Sequence, residues 1–432
     1  MKIKLFYHIA IFCVGFIGLN ACQSIKSIAT SRDINSQLKK SEIFSQQFTG
    51  LVLYDPIEKR YLKDFNGDKH FTPASNTKIL TMAASLSVLG DSIPTFRVLD
   101  TPDTLFVEPF GDPTFLHPDF PNQPVFDQLK GKHVQVILNK PIQPFGAGWA
   151  WDDYPYDFQG ERSQFPIYGN MLRITLKDTL KGASPNFFSE FISVNDDSDN
   201  NTFIARDVQL NIFQINNPRD TTTVIKDIPF KYSDELLEAL LKDTLQNEVS
   251  IGYQKELTSF EILRNTNTIS AIALMMLRSD NFLAEQLLIT SANLKGYDHI
   301  GAYRRDLIRQ WGLPESTQWV DGSGLSRYNL ISPRSLVSVL DKIYEQYDWS
   351  LITTVFPTGG VSGTIKNWYP GEPPYIFAKT GTLSNNHSLS GFILTRSGKT
   401  LIFSFMNNNY TRPVSEVKKE MQVVLELIRD GY

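Results

Sequence analysis

A serine and a lysine stand three residues apart, as Ser75 and Lys78, in the stretch FTPASNTKILTMAASLSVLG. Apolar residues from Ile79 onward recur with a period of about 3.6 residues, which predicts a helix that ends at Gly90. Three residues of a helix turn by roughly 300° and rise by roughly 4.5 Å, so the hydroxyl and the amine would share one face. A neutral amine in that place can accept the proton of a serine hydroxyl and make the oxygen a nucleophile.

The lysine amine can act in this way only if its pKa is lowered. A lysine with an ordinary pKa of about 10.4 is charged at pH 7. To lower this pKa by about 3, the surroundings must destabilise the charged amine relative to the neutral one by roughly 4 kcal/mol. Burial and a nearby cation such as Lys379 would lower the pKa in this direction. The N-terminus of the helix adds its dipole, so the Ser75 amide is a candidate for one half of an oxyanion hole and the Thr382 amide for the other.

A serine three residues before a lysine is weak evidence by itself, because Ser36 and Lys39 satisfy the same pattern. Two further motifs strengthen it: Ser279-Asp280-Asn281 stands at a break between two apolar helical stretches, and Lys379-Thr380-Gly381-Thr382 follows the strand-like YIFA. SxxK, SDN and KTG in this order are the signature of active-site serine enzymes that handle penicillin or its natural counterpart. A second SDN, at residues 198–200, lies in a stretch rich in Asn and Asp and is interpreted as a solvated loop.

Four further segments, FGDPTF, GWAWDDYPY, VDGSGLSRYNLISP and GGVSGTI, accompany these motifs. With them, the chain resembles the D-alanyl-D-alanine carboxypeptidase/endopeptidase family of class C low-molecular-mass penicillin-binding proteins. The resemblance implies an α/β (α+β) fold, in which a β-lactamase/transpeptidase-like serine domain combines an antiparallel sheet, flanking helices and an all-α subdomain. A catalytic domain of residues 22–95 and 257–432 would carry a mostly β inserted domain of residues 96–256.

The resemblance also implies a role for each motif residue. Ser75 would be acylated, and Lys78 would be its general base. Ser279 would relay a proton to the leaving D-alanine amine, and Asn281 would hold the substrate amide. The terminal carboxylate of the substrate would be bound by the KTG motif, that is, by Lys379, Thr380, Gly381 and Thr382. The substrates would be peptidoglycan peptides, β-lactam antibiotics would be covalent inhibitors, and no cofactor is implied.

Asp153, in the GWAWDDYPY segment, matches a family aspartate at the rim of the cleft. The resemblance implies that it binds the free amine of a diaminopimelate residue in the substrate. The alternative is that Asp152 and Asp153 are polar turn residues before Pro155. The aromatic residues Trp149, Trp151 and Tyr154 of the same segment are expected in a core or a domain interface.

The first residues, MKIKLFYHIAIFCVGFIGLNACQS, have a basic start and an apolar run, which indicates a secretory signal rather than a spanning helix. The pattern resembles a bacterial lipoprotein signal of residues 1–21 that leaves Cys22 as the lipidated first residue. We therefore expect an enzyme anchored by lipid on the periplasmic side of the envelope, and Gln23 favours the outer membrane. Cys13 lies in the removed segment, so the mature chain would form no internal disulfide.

The remaining composition excludes two classes of site. The net charge is -4, which gives no support to a nucleic-acid-binding face. The six histidines show no spacing typical of metal ligands, so metal chemistry is not expected.

Alternation of apolar and polar residues predicts two hairpins, with turns at Asp55-Pro56 and Ser397-Gly398. With helices from QLKKSEIFSQQF and from SEVKKEMQVVLELIRD, the two chain ends would build one antiparallel sheet and its cover. The segment TLSNNHSLSG, after the KTG motif, is expected to contain an unusually polar loop. The two glycines of VDGSGLSRYN are expected to shape a tight turn.

Two other functions remain open at this point. A β-lactamase or a serine esterase would use the same motifs, although the long segment between Ser75 and Ser279 makes either less suitable. A lipid-anchored and catalytically silent β-lactam sensor would belong to another class, and the intact motifs argue against it. Release of D-alanine from a wall peptide would separate the peptidase from both alternatives.

Overall fold

The computed structural model describes residues 29–177, 179–195, 203–216, 223–253 and 257–432. The signal segment, Cys22 and the second SDN, at residues 198–200, fall outside this part of the chain. The chain forms two compact units. The first contains the described residues up to Asn76 together with Leu330–Tyr432, and the second contains Thr77–Asn329.

The first unit is built on one antiparallel sheet of five strands. Its spatial order is Ile376–Leu383, Asn386–Leu394, Thr400–Asn408, Phe48–Asp55 and Arg60–Phe65. Both predicted hairpins are present, and the two chain ends share the sheet. The polar loop expected after the KTG motif is short: only Ser384 and Asn385 separate two paired strands, and Asn385 has the left-handed φ of 67° that suits such a tight turn.

Helices and an apolar core complete the first unit. The helical stretches are 29–40, Glu42–Ser45, Pro333–Gln346, Trp349–Val355 and Val414–Gly431. The predicted N-terminal helix is interrupted at Ser41, whose hydroxyl accepts a hydrogen bond from the Phe44 amide and starts a new turn. One face of the sheet and the C-terminal helix bury Leu53, Phe403 and Val424 in a common core.

The second unit contains the β-rich segment expected from the sequence. One sheet has the order Val249–Gly252, His133–Ile137, Thr104–Pro109, Ser92–Asp100 and Glu261–Asn267. Two smaller sheets are Val224–Pro229, Met171–Lys177 and Thr179–Ser184, and Ile192–Asn195, Phe213–Asn216 and Phe203–Arg206. The helices Pro124–Gln128 and Asp234–Leu245 accompany these sheets. The expected domain boundaries near residues 95 and 257 both fall inside this unit, so the inserted domain stays a prediction.

Four helices of the second unit carry site residues or pack near them: Lys78–Leu86, Thr268–Arg278, Asn281–Leu294 and Ile300–Gln310. The first of these ends earlier than predicted, because the amides of Val88 and Leu89 both turn back to the Ser85 carbonyl. Gly90 lies beyond the helix with a φ of 72°. Within the described residues, none of the helices is both long and apolar enough to cross a membrane.

Candidate active site

Ser75 lies in a 3-10 turn, Ala74–Thr77, rather than in the first turn of an α-helix. The preceding residue, Ala74, has a φ of 49°, a left-handed conformation that is uncommon outside glycine and clusters at functional sites. Asn76, within the turn, donates a hydrogen bond from Nδ2 to the Lys379 carbonyl at 2.9 Å. The turn Ala74–Thr77, called the serine turn below, is therefore hydrogen-bonded directly to the strand that carries the KTG motif.

Gly381 allows this close approach. A Cβ atom at this position would lie 2.3 Å from the Pro73 carbonyl oxygen and 2.8 Å from the Asn76 amide nitrogen. Both contacts are with backbone, which cannot move aside as the end of a side chain can. The glycine of the motif is thus required by packing within the first unit.

The other KTG side chains have different surroundings. Lys379 is fully buried, and its Nζ donates a hydrogen bond to the Thr380 carbonyl at 2.7 Å. The Thr380 hydroxyl lies 2.6 Å from the Thr364 hydroxyl. Thr382 is exposed, and its Oγ1 lies 2.8 Å from Nδ1 of His387 on the neighbouring strand. One cation and two hydroxyl groups are thus brought together on one strand.

In the second unit, Lys78 begins its helix and is fully buried. Its Nζ donates to Oδ1 of Asn281 at 2.5 Å and to the Ser323 carbonyl at 2.7 Å. Burial lowers the pKa of Lys78 to about 8, although the charges of Asp280, Asp321 and Glu285 act to raise it. Burial, rather than the nearby cation considered above, is the largest cause, so about half of the amine is neutral near pH 8.

The SDN motif joins two helices at the predicted break. Ser279 caps the helix Thr268–Arg278 in a left-handed conformation, with φ 61° and ψ 38°. Asp280 starts the next helix by accepting a hydrogen bond from the Leu283 amide at 2.8 Å. Asn281 accepts from Lys78 and donates from Nδ2 to the Phe158 carbonyl at 2.9 Å, so both ends of its amide are held. A cavity of about 300 Å³ is lined by Ser279 and Asn281.

A buried glutamate supports the Lys78 site, and the sequence analysis did not identify it. Glu285 accepts a hydrogen bond from the Ser323 amide at 2.7 Å and pairs with Arg162 at 3.3 Å. Burial raises the pKa of Glu285, and the charge of Asp321 adds to this effect. A single acidic residue within the apolar stretch NFLAEQLLITSA was the available signal, since such a charge is rarely buried without a partner.

The predicted glycine turn is present and is organised by Asp321. Its carboxylate accepts hydrogen bonds from the amides of Gly324 and Ser326 and from Nε1 of Trp149, at 2.6–2.9 Å. Gly322 permits a close backbone approach, because a Cβ there would lie 2.6 Å from the Ala284 carbonyl oxygen. This turn fixes the position of Ser323, whose carbonyl accepts from Lys78.

The segment that contains Asp153 is partly exposed. Asp153 ends the 3-10 turn Trp151–Asp153, and its pKa is raised by partial burial and by the charge of Asp152, while Arg327 acts in the opposite direction. The expectation of a buried aromatic is wrong for Trp151, which is 87% exposed because it lies on the outside of this short turn. The role of Asp153 stays a prediction.

Comparison with known proteins places these residues in a family. The profile of the D-Ala-D-Ala carboxypeptidase 3 (S13) family matches residues 30–427. Penicillin-sensitive carboxypeptidase A of Dictyostelium discoideum is 24% identical over 87% of this chain and 85% of its own length. D-alanyl-D-alanine carboxypeptidase DacB of Haemophilus influenzae is 29% identical over 37% of this chain, a match that spans about a third of that relative.

A solved structure shares the fold. Penicillin binding protein 4 (dacB) from Haemophilus influenzae superimposes with a TM-score of 0.68 at 20% identity, covering 91% of this chain and 97% of the other. The fold class expected from the sequence is thereby confirmed, as is the resemblance on which it was based. The chain belongs to the D-Ala-D-Ala carboxypeptidase 3 (S13) family.

Proposed function

We propose that this D-Ala-D-Ala carboxypeptidase cleaves peptidoglycan stem peptides through a covalent acyl-enzyme on Ser75. The observation that carries the proposal is the environment of Lys78, a fully buried lysine with a pKa of about 8. A general base works best when its pKa is near the working pH. Ser75 lies in the 3-10 turn that leads directly into the helix begun by Lys78, and side chains three residues apart fall near the same side in both kinds of helix, which suits proton transfer from Ser75 to this amine.

The hydrogen bonds of Lys78 are compatible with the neutral form of the amine, which burial favours. A neutral primary amine has two N–H groups and one lone pair. Two N–H groups are enough for donation to Oδ1 of Asn281 and to the Ser323 carbonyl, and the lone pair of such an amine can take the Ser75 proton. Ser75 Oγ attacks the peptide carbonyl as this proton leaves, and the amides of Ser75 and Thr382 stabilise the negative oxygen that forms.

The second half of the reaction releases the leaving group. Lys78 returns its proton through Ser279 to the departing D-alanine nitrogen as the C–N bond breaks, and Asn281 holds the substrate amide. Water then attacks the Ser75 ester while Lys78, neutral again, accepts a proton from it. The bond between the acyl carbon and Ser75 Oγ breaks, Oγ takes the proton back from Lys78, and the shortened peptide leaves. A β-lactam follows the first half of this scheme and stays bound as an ester of Ser75.

The KTG strand supplies the groups that suit a terminal carboxylate. Lys379 contributes a positive charge, and Thr380 and Thr382 contribute hydroxyl groups, which can form charge-assisted hydrogen bonds. Gly381 keeps this strand against the serine turn. A cross-linked peptide presents the same acyl group to Ser75 with a larger leaving amine, so we propose cross-link cleavage by the same steps.

We further propose that Asp153 binds the free amine of a diaminopimelate side chain. Partial exposure keeps its carboxylate accessible, and a partly dehydrated ion pair gains more than a fully exposed one. For location, we propose that lipid on Cys22 anchors the enzyme at the periplasmic side of the envelope, in the outer membrane. Neither proposal affects the assignment of the nucleophile.

The test is D-alanine release from a synthetic pentapeptide, with mass analysis of the products from purified cross-linked wall fragments. The Ser75→Ala variant should release none, whereas Ser36→Ala, which changes the other serine of an SxxK pattern, should match the wild type. Hydrolysis of penicillin without peptide cleavage would favour a β-lactamase. Penicillin binding without turnover of either substrate would favour a sensor.

A further inference from the structure

His387 is a buried histidine next to the KTG motif that neither the sequence signature nor the proposed reaction uses. It lies directly opposite Thr382 in the antiparallel pair formed by the strands Ile376–Leu383 and Asn386–Leu394. The imidazole is fully buried, while the Thr382 side chain is exposed. The Thr382 hydroxyl and Nδ1 of His387, 2.8 Å apart, form a hydrogen bond in which either atom can be the donor.

The imidazole is neutral, so it has one N–H group. Burial lowers the pKa of His387 to about 3, and the charges of Lys418 and Lys379 act in the same direction. If the proton is on Nε2, Thr382 must donate its only hydroxyl proton to Nδ1. If the proton is on Nδ1, His387 donates and the Thr382 proton stays available to another acceptor.

The residue on the other side of His387 distinguishes these tautomers. Asn407 lies opposite His387 on the strand Thr400–Asn408. Its side-chain oxygen, Oδ1, accepts hydrogen bonds from Thr49 at 2.9 Å and from Gln47 at 2.6 Å. These two bonds identify the other end of the amide, Nδ2, as the hydrogen-bond donor. In the described part of the chain, Nδ2 of Asn407 and Nε2 of His387 are both buried without a hydrogen-bond partner.

The buried amide N–H of Asn407, on the residue opposite His387, favours an unprotonated Nε2, which can accept a hydrogen bond, over an Nε2 that carries a proton. Directly opposed residues of an antiparallel pair have Cβ atoms about 4.5–5.5 Å apart, so a small side-chain rotation brings such groups together. A proton on Nε2 would instead place two buried, unsatisfied donors on two opposed residues, and neither could accept from the other, which is costly. The balance therefore favours the tautomer with the proton on Nδ1.

We propose that His387 donates from Nδ1 to Thr382 Oγ1 and thereby keeps the Thr382 hydroxyl proton free for the terminal carboxylate of the substrate. His387 is then a positioning residue, which acts through Thr382 and does not touch the substrate. A carboxylate can only accept hydrogen bonds, so a hydroxyl that had given its proton to histidine would present only lone pairs to it. The role of Thr382 in this inference rests on the proposed function. The tautomer of His387 is argued from its surroundings alone and does not depend on that function.

The tautomer is measured by two-bond ¹H–¹⁵N correlation spectra of the full chain labelled with ¹⁵N-histidine, and the His387 signals are assigned with His387→Phe. We expect a protonated Nδ1 and an unprotonated Nε2, unchanged between pH 6 and pH 8. Protonation of Nε2 in the wild type would overturn the inference, whether or not the enzyme cleaves peptides. If His387→Phe does not fold, the exposed Thr382→Val substitution serves for assignment, because loss of its hydroxyl shifts the neighbouring Nδ1 signal.

The functional consequence is tested by combining two substitutions. We expect His387→Phe and Thr382→Val each to lower kcat/KM about ten-fold on a peptide with a free terminal carboxylate, mainly through KM. The double variant should lose no more than Thr382→Val alone, and a peptide ending in a carboxamide should show little change. Ser388→Ala, a buried neighbour whose hydroxyl has no hydrogen-bond partner within the described residues, is the matched control and should behave as the wild type.

Two results would show that the histidine has only a packing role. One is an equal loss on the carboxylate and carboxamide peptides, and the other is a further loss when His387→Phe is added to Thr382→Val. If the wild type itself releases no D-alanine, the proposed function has failed, and the ¹⁵N spectra still decide the direction of the hydrogen bond.

Discussion

The proposed role of Lys78 predicts how acylation of Ser75 changes with pH. Lowering the pH protonates Lys78, and the protonated amine has no lone pair with which to accept the serine proton. With a pKa of about 8, roughly half of the amine is neutral at pH 8, about a tenth at pH 7 and about a hundredth at pH 6. Acylation should therefore be about fifty-fold slower at pH 6 than at pH 8.

The pH above which the acylation rate stops rising distinguishes this lysine from one with an ordinary pKa. Above pH 9 the neutral fraction of Lys78 is close to its maximum, so the rate should change little. An unburied lysine with a pKa of about 10.4 would give a rate that still rises about seven-fold between pH 9 and pH 10. The position of the plateau thus measures how strongly burial acts on the amine.

The assay is the second-order rate constant for labelling by a fluorescent penicillin between pH 5.5 and pH 10. Lys78→Arg keeps a positive charge but cannot lose its proton, so acylation should fall by about 10²-fold or more and lose its pH dependence. Lys39→Arg changes the exposed lysine of the other SxxK pattern and should reproduce the wild-type profile. A wild-type rate that is constant from pH 6 to pH 9, or a Lys78→Arg variant of near wild-type rate, would refute the role.

Four further predictions each concern one residue. Gly381→Ala places a methyl group against the backbone of the serine turn, so penicillin acylation should fall at least 10²-fold; a change below three-fold would show that the strand can shift at little cost. Glu285→Gln removes a charge that raises the pKa of Lys78, so the midpoint of the acylation profile should move to lower pH, and an upward shift would contradict this. Asp153→Asn should lower kcat/KM for a peptide with a free side-chain amine but not for its N-acetylated form, and an equal loss on both would indicate a structural role. Cys22→Ser should move the protein into the soluble fraction of cells, and retention in the membrane fraction would argue against the lipid anchor.

Local patterns in the sequence predict much of the fold. Both hairpins and the C-terminal helix follow from periodicity and turn residues, and the break at Ser279 follows from a polar motif between two apolar stretches. These features depend on neighbours in the chain, which is why a sequence displays them. The hairpin at Ser397-Gly398 predicts most of the strand Asn386–Leu394, but not its first residues, Asn386 and His387. These polar residues look like part of a loop, whereas pairing on both sides within the sheet holds them in the strand.

The chemistry of the site depends on contacts that are distant in sequence. The motifs identify Ser75 and Lys78, but the lowered pKa of Lys78 results from complete burial, and the acceptors on Asn281 and Ser323 that position its amine are distant in sequence. Glu285 is visible only as a charge in an apolar helix until its bond to the Ser323 amide is known. Residue types and spacing therefore predict which groups react, whereas packing determines their protonation and orientation.

Location of the acyl group tests the central claim most directly. After incubation with benzylpenicillin, intact mass spectrometry should show a single addition of the whole penicillin, and peptide mapping should place it on Ser75. Ser75→Ala should carry no addition, and Ser36→Ala should be labelled as fully as the wild type. An adduct on any other residue, or labelling that persists in Ser75→Ala, would contradict the assignment of Ser75 as the nucleophile.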